Sequence, residues 1–172
     1  MNNTATLDHG PLVSVVIPCY NSIELRRTLE SVCRQTHTNW EAICVDDGSD
    51  IDLLPVLEAL DDARIVYYRL EEHTNANVAR NYGILHSHGT YIAMLDADDE
   101  WLETHLEDSL HLLQEQNADC IYGSLILRGK TDSVFTTRSV SEGETMIDFL
   151  LSTGYGAQTS TLVMTAASAA DI

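Results

Sequence analysis

Tyr91–Asp99 reads YIAMLDADD and changes character in a single step. Its first five residues form a short apolar run without turn formers, the mark of a strand buried on both faces. Its last four carry three carboxylates. In an open parallel sheet, ligands bind outside the carboxyl ends of the strands, so this junction lies where such a sheet does its chemistry. Three carboxylates this close repel one another unless a cation or protons intervene. A hard divalent ion that keeps several waters suits Asp96, Asp98 and Asp99, and such ions commonly bridge to a substrate diphosphate. The same residues also read as a polar loop in which Asp98 or Asp99 caps the following helix.

Outward from this strand the chain alternates strand-like and helix-like segments. Val13–Ile17 (VSVVI), Trp40–Val45 and Ile65–Arg69 are the other early strands. Asn21 or Ser22 can cap a helix reaching to about Thr36, because Leu25, Leu29, Val32 and Cys33 fall on one stripe. A short helix follows the second strand, with Leu53, Leu54, Val56, Leu57 and Leu60 apolar and Pro55 tolerated in its first turn. Ala76–His88 is a third helix ended by Gly89, and Leu102–Gln116 a fourth. Asp119–Leu127 and Ser133–Thr137 then read as a hairpin across Gly129-Lys130, an antiparallel edge. A helix near Glu144–Leu151 and a strand over Thr159–Met164 complete the pattern. Alternation of this kind specifies an α/β fold, a mainly parallel sheet with helices on both faces.

Two further strand ends carry unusual residues. The first ends in Pro18-Cys19-Tyr20-Asn21 with no glycine after it, where a dinucleotide fold needs GxGxxG, and no Walker A sequence occurs. Tyr20 offers an aromatic face for a base, or is an ordinary packed tyrosine. The second strand ends in Asp46-Asp47-Gly48-Ser49, whose carboxylates can accept hydrogen bonds from a nucleobase imide or ribose, and whose composition is also that of a turn. Between these motifs, Arg80 sits early in a helix, badly placed for the helix dipole. A contact to a phosphate or to one of the aspartates would offset that cost; the alternative is an ordinary surface arginine.

The bulk properties exclude several classes. With 172 residues, 44% of them hydrophobic, the chain suits one packed domain and not a disordered segment. The formal net charge of -18, from 27 acidic residues against nine Lys and Arg, makes nucleic acid a poor partner. A phosphorylated ligand remains compatible if a cation mediates the contact. No apolar run is long enough to span a membrane, and Met1–Gly10 lacks the pattern of a signal peptide. Cys19, Cys33, Cys44 and Cys120 have no zinc spacing, and Cys33 and Cys44 read as small buried hydrophobes, which fits a reduced, cytoplasmic setting. His86 and His88, two apart on a helix, do not face one another and read as surface residues. His37, His73, His105 and His111 show no metal spacing.

Taken together and in order, VSVVIPCYN, VDDGSD, NVARNYG and MLDADD resemble the inverting glycosyltransferase family 2, of GT-A fold, over about Val13–Met164. The resemblance implies a Rossmann-like sandwich over residues 13–172 behind a polar extension of residues 1–12. It implies a donor nucleotide held by Pro18, Tyr20, Asn21, Asp46, Asp47, Arg80 and Asp96, with Tyr20 stacking near uracil, Asp47 on the base and Asp46 supporting that loop. Asp96 and Asp98 match the DxD pair, with Asp98 the direct ligand of Mn²⁺ or Mg²⁺ and Asp96 nearer the sugar or ribose. The implied reaction moves a sugar from a nucleotide-sugar donor, UDP by default, to the hydroxyl of a glycan, lipid-linked sugar or protein acceptor. The implied setting is the cytoplasm, including the inner face of the membrane. The family's carboxylate base lies beyond the strand at Thr159–Met164, so no catalytic base is assigned and the chain is expected to lack the acceptor segment. No QxxRW motif links it to processive synthases. A non-catalytic or degenerate nucleotide-sugar-binding domain is the alternative. A phosphatase or nucleotidyltransferase is disfavoured by the absence of DxDxT and of a glycine-rich nucleotidyl loop.

Overall fold

β1 (Val13–Cys19) is the centre of the molecule, hydrogen-bonded in parallel to β2 (Trp40–Asp46) on one side and β4 (Tyr91–Met94) on the other. In the computed structural model, residues 10–129, 131–137, 141, 143 and 158–170 are described. β3 (Ile65–Arg69) extends the parallel set beyond β2, while β8 (Val163–Thr165) runs antiparallel beside β4 and pairs in turn with β5 (Cys120–Ile121). The order is β3-β2-β1-β4-β8-β5. Because successive side chains on a strand point to opposite faces, β1 feeds two cores at once. Val13, Val15 and Ile17 pack with Leu25 and Leu29 of α1 (Leu25–Cys33) and with Leu106 and Leu113 of α4 (His105–Gln116). Val16 faces the other way, towards Ile92, Met94 and Met164. Ala79 of α3 (Ala76–Leu85) packs on the same side against Ile43 and Val45. A side chain at Gly83 would meet Val16 Cγ1 at 2.5 Å, so α3 rests directly on the sheet.

The parallel sheet with helices on both faces is as expected, but several boundaries move for tertiary reasons. α1 starts at Leu25, with neither Asn21 nor Ser22 as its cap: Glu24 precedes it without a side-chain bond. The Asn21 side chain is engaged by the loop after β2, and the Ser22 hydroxyl accepts from Tyr20 N–H. α2 (Leu54–Leu60) carries Pro55 in its first turn, as expected. α3 ends at Leu85, and Gly89 is not its terminator. A Cβ at Gly89 would lie 2.6 Å from Ser14 N and 2.8 Å from Tyr91 O, so glycine is required there by close backbone packing. α4 begins at His105 because Gln35 holds the segment before it, accepting from Leu106 N–H and donating to Leu102 C=O.

The hairpin exists, as β6 (Leu125–Leu127) and β7 (Ser133–Phe135), but it forms a separate two-stranded sheet. The antiparallel edge of the main sheet belongs to β8 and β5. Thr159–Thr161, expected as strand, is a 3₁₀ turn leading into β8, and α5 (Ala166–Ala169) follows with Thr165 as its cap. The helix expected near Glu144–Leu151 lies outside the described residues, as do residues 1–9 of the N-terminal extension. Cys44 is fully buried and Cys33 partly so. Among the described residues no helix is long and apolar enough to cross a membrane.

Candidate donor site

The register of the three central strands brings their carboxyl ends together: Cys19 lies beside Asp46, and Val16 beside Met94. The loop after each strand therefore opens onto one space. Asn21, at φ +50, joins two of these loops. Its N–H donates to Ser49 Oγ at 2.8 Å, and its side-chain oxygen accepts from the N–H of Asp50 at 2.9 Å and of Ile51 at 3.3 Å. Asparagine tolerates the left-handed region and carries the short carbonyl this staple needs. A cleft of about 370 Å³ opens here, lined by Pro18, Tyr20, Asn21, Arg80, Asp96 and Asp98, with Ser22, Glu24, Ala76 and Ala97 completing its wall. Six of the eight residues expected at a donor site share this one cleft.

The other two, Asp46 and Asp47, are buried beside it. Asp46 accepts from Ser49 N–H at 2.9 Å, from Tyr67 Oη at 2.6 Å and from Arg69 Nη1 at 2.9 Å. Burial, together with the bond to this carboxylate, pushes the Tyr67 hydroxyl up to about 12, so it stays a donor. Asp47 turns to the loop between β3 and α3. Its oxygens accept from Thr74 N–H at 3.0 and 3.1 Å and from Thr74 Oγ1 at 2.7 Å, while His73 Nδ1 lies 2.8 Å from Oδ2 and is within hydrogen-bond distance of the Asp47 carbonyl at 3.2 Å. The His73 ring stacks on Tyr20 with centroids 3.8 Å apart and planes at 20°. Gly48, at φ +72, lets this loop close down, since a Cβ there would stand 2.7 Å from His73 N. One face of Tyr20 and the carboxylate of Asp47 are thus both engaged by a segment with no local sequence signal for that role.

Arg80 lies one turn into α3, whose start is capped by Asn75. The guanidinium reaches Asp96 Oδ1 through Nη2 at 2.6 Å and Asn77 Oδ1 through Nη1 at 3.0 Å. This is the aspartate contact that an arginine so poorly placed for the helix dipole requires. Its Nε–H is buried without a partner among the described residues.

The loop after β4 separates its three carboxylates. Asp96 is held by Arg80, and Asp99 Oδ2 accepts from Ser160 Oγ at 2.6 Å. The backbone carbonyls of Ala97 and Asp98 accept from Thr28 Oγ1 and Arg27 Nη2. Asp98 lines the cleft, and its carboxylate has no hydrogen-bonding partner among the described residues. No three His, Cys, Asp or Glu side chains converge there as a ready-made metal cage among the described residues. One free carboxylate nevertheless fits a hard cation whose other positions are filled by water and a ligand's phosphates, the usual arrangement for Mg²⁺.

Residues 14–167 match the family model described as Glycosyl transferase family 2. The chain belongs to glycosyl transferase family 2. Among family members, the amylovoran biosynthesis glycosyltransferase AmsB of Erwinia amylovora is 34% identical, over 92% of this chain and 57% of its own length. The UDP-Glc:alpha-D-GlcNAc-diphosphoundecaprenol beta-1,3-glucosyltransferase WfgD of Escherichia coli is 36% identical, over 66% of this chain and 45% of its own. S. aureus TarS 1-349, solved in complex with UDP, superposes with a TM-score of 0.75 at 20% identity, over 92% of this chain and 48% of that one. That likeness carries the GT-A fold. The chain spans about half the length of these family members.

Proposed function

We propose that this cleft binds the donor of a glycosyl transfer, a nucleoside-diphosphate sugar with UDP as its nucleotide. The chain is then the donor-binding part of a metal-dependent, inverting transferase. The observation that carries the reading is the meeting of three chemistries in one cleft: the Tyr20 ring, the Arg80 guanidinium with its unpartnered buried Nε, and the open carboxylate of Asp98. Each answers one part of such a ligand, namely the base, the diphosphate and the cation that accompanies it. The name of WfgD and the UDP complex of TarS support UDP as the nucleotide.

Within this reading, Pro18 and Asn21 form the wall beside the base, Asp47 accepts from its imide, and Asp46 fixes the loop that carries Asp47. Arg80 orients the diphosphate while holding Asp96 towards the ribose or sugar. Asp98 holds Mn²⁺ or Mg²⁺, which when bound neutralises the charge growing on the departing diphosphate. Inversion requires the acceptor hydroxyl to attack from the face opposite that diphosphate, with a carboxylate base taking its proton. The acceptor is a saccharide hydroxyl, and the name of WfgD favours one carried on a lipid diphosphate; the proposed setting is the cytoplasm, including the inner face of the membrane.

Calorimetric titration of UDP into the 172-residue chain, with and without Mn²⁺, tests the reading. Binding strengthened by Mn²⁺, and losing that strengthening in Asp98→Ala, is the expected result. A folded chain that takes up no UDP under either condition overturns it. Acceptor-dependent release of UDP then separates transfer from binding alone.

A further inference from the structure

We infer that Ser160 is the positioning residue that decides which carboxylate of the Asp96–Asp99 loop is offered to the cleft. The inference rests on the donor-site reading above and concerns a residue 61 positions away from the loop it serves. Ser160 is buried, at 4% exposure, in the 3₁₀ turn that leads into β8. A hydroxyl has one proton to give and lone pairs to accept with, and Ser160 uses both on the same loop. It accepts from Asp96 N–H at 3.0 Å and donates to Asp99 Oδ2 at 2.6 Å. Its own carbonyl accepts from Trp101 Nε1 at 2.6 Å, which anchors the turn just past the loop.

The consequence is selective. Thr28 and Arg27 hold the backbone carbonyls of Ala97 and Asp98, and Arg80 holds the Asp96 carboxylate. Once Ser160 has drawn Asp99 aside, Asp98 is the carboxylate of the loop left to face the cleft. Without the hydroxyl, the Asp96 N–H loses its acceptor and Asp99 loses the bond that turns it away. Both carboxylates then compete for the same cation in a loop that no longer has one geometry. Loss of a group that orients a metal-binding side chain typically weakens metal affinity about 10–100-fold.

The experiment is titration of UDP into wild type, Ser160→Ala, Ser160→Thr and Ser160→Val of the full chain, each with Mn²⁺ and with EDTA, beside melting curves. Thr and Val have the same shape and differ in the hydroxyl, so their comparison isolates it even if Ser160→Ala does not fold. The strengthening of UDP binding by Mn²⁺ is expected to fall about tenfold in Ala and Val and to be kept within about threefold in Thr. If Thr and Val keep the same Mn²⁺ strengthening as wild type, the inference is overturned. The same holds if they lose affinity equally with metal and with EDTA, since that is the signature of a structural role only. A wild-type chain that binds no UDP instead removes the donor-site reading, and this inference with it.

Discussion

His73→Ala is expected to tighten UDP binding, because the imidazole occupies positions that the base takes in the proposed donor site. Its ring covers one face of Tyr20 at a centroid distance of 3.8 Å and its Nδ1 lies 2.8 Å from Asp47 Oδ2. With three contacts from Thr74 on the same carboxylate, the acceptor positions of Asp47 are filled. A base that stacks on that face and donates to Asp47 has to move His73 first. An aromatic stack contributes about 0.5–1.5 kcal/mol. The bond to Asp47 adds at most about 0.5 kcal/mol, because His73 is 48% exposed and water competes for it. Displacement therefore costs about 0.5–2 kcal/mol, and removing the ring should lower the Kd for UDP about 2–30-fold. Asp47 keeps its bonds to Thr74, so the site is not otherwise dismantled. Calorimetry on wild type, His73→Ala and His73→Phe checks this: Phe restores the stacked ring without Nδ1 and should bring back most of the barrier. Equal or weaker binding by His73→Ala would refute the reasoning and make His73 a partner of the base, not its competitor.

Two further outcomes follow from the packing. Burial holds His105 well below its ordinary value, at about 4, with its ring stacked on Trp101 and its Nε2 buried without a partner among the described residues. A histidine kept neutral in the folded state is protonated first in the unfolded one, so stability is full above about pH 6.5 and is lost as the pH falls towards 4. The loss amounts to at most about 3 kcal/mol, and urea denaturation between pH 7 and 4 should show a shallower decline in His105→Phe; identical slopes would count against it. Gly89→Ala should destabilise the fold by about 2–4 kcal/mol, because the new methyl group meets Ser14 N and Tyr91 O at once and no flexible side chain can yield. A change below about 0.5 kcal/mol in urea would mean that the strands shift more easily than this packing allows.

Much of the fold was legible because its signals are local. A strand buried on both faces must be almost wholly apolar, and VSVVI and YIAML are, with the one buried hydroxyl, Ser14, satisfied by Glu41. The stripe of Leu25, Leu29 and Val32 depends on helical period alone, and all three are buried. The place of the cleft was legible for the same reason: acidic and aromatic residues that end parallel strands must gather at one edge of the sheet, and the cleft is there. Arg80 could be flagged by its conflict with the helix dipole, which Asp96 resolves.

What the tertiary structure decided is which partner each polar group finds. Asn21 had the right chemistry for a helix cap and instead staples two loops, because Asp50 and Ile51 are adjacent in space but not in sequence. Gly89 had the right position for a helix stop and is instead required by Ser14, 75 residues away. Asp47 faces His73 and Thr74, and Asp99 faces Ser160, each across tens of residues. Three neighbouring aspartates look alike in sequence because each has the same charge and the same local context. They become different groups in the fold, because a hydrogen bond is short and directional and its partner is chosen by the packing of β4 against β8 and α3. Strand, helix and strand-end chemistry follow from the sequence by itself; the assignment of Asp96 to Arg80, Asp99 to Ser160 and Asp98 to the cleft follows from the packing.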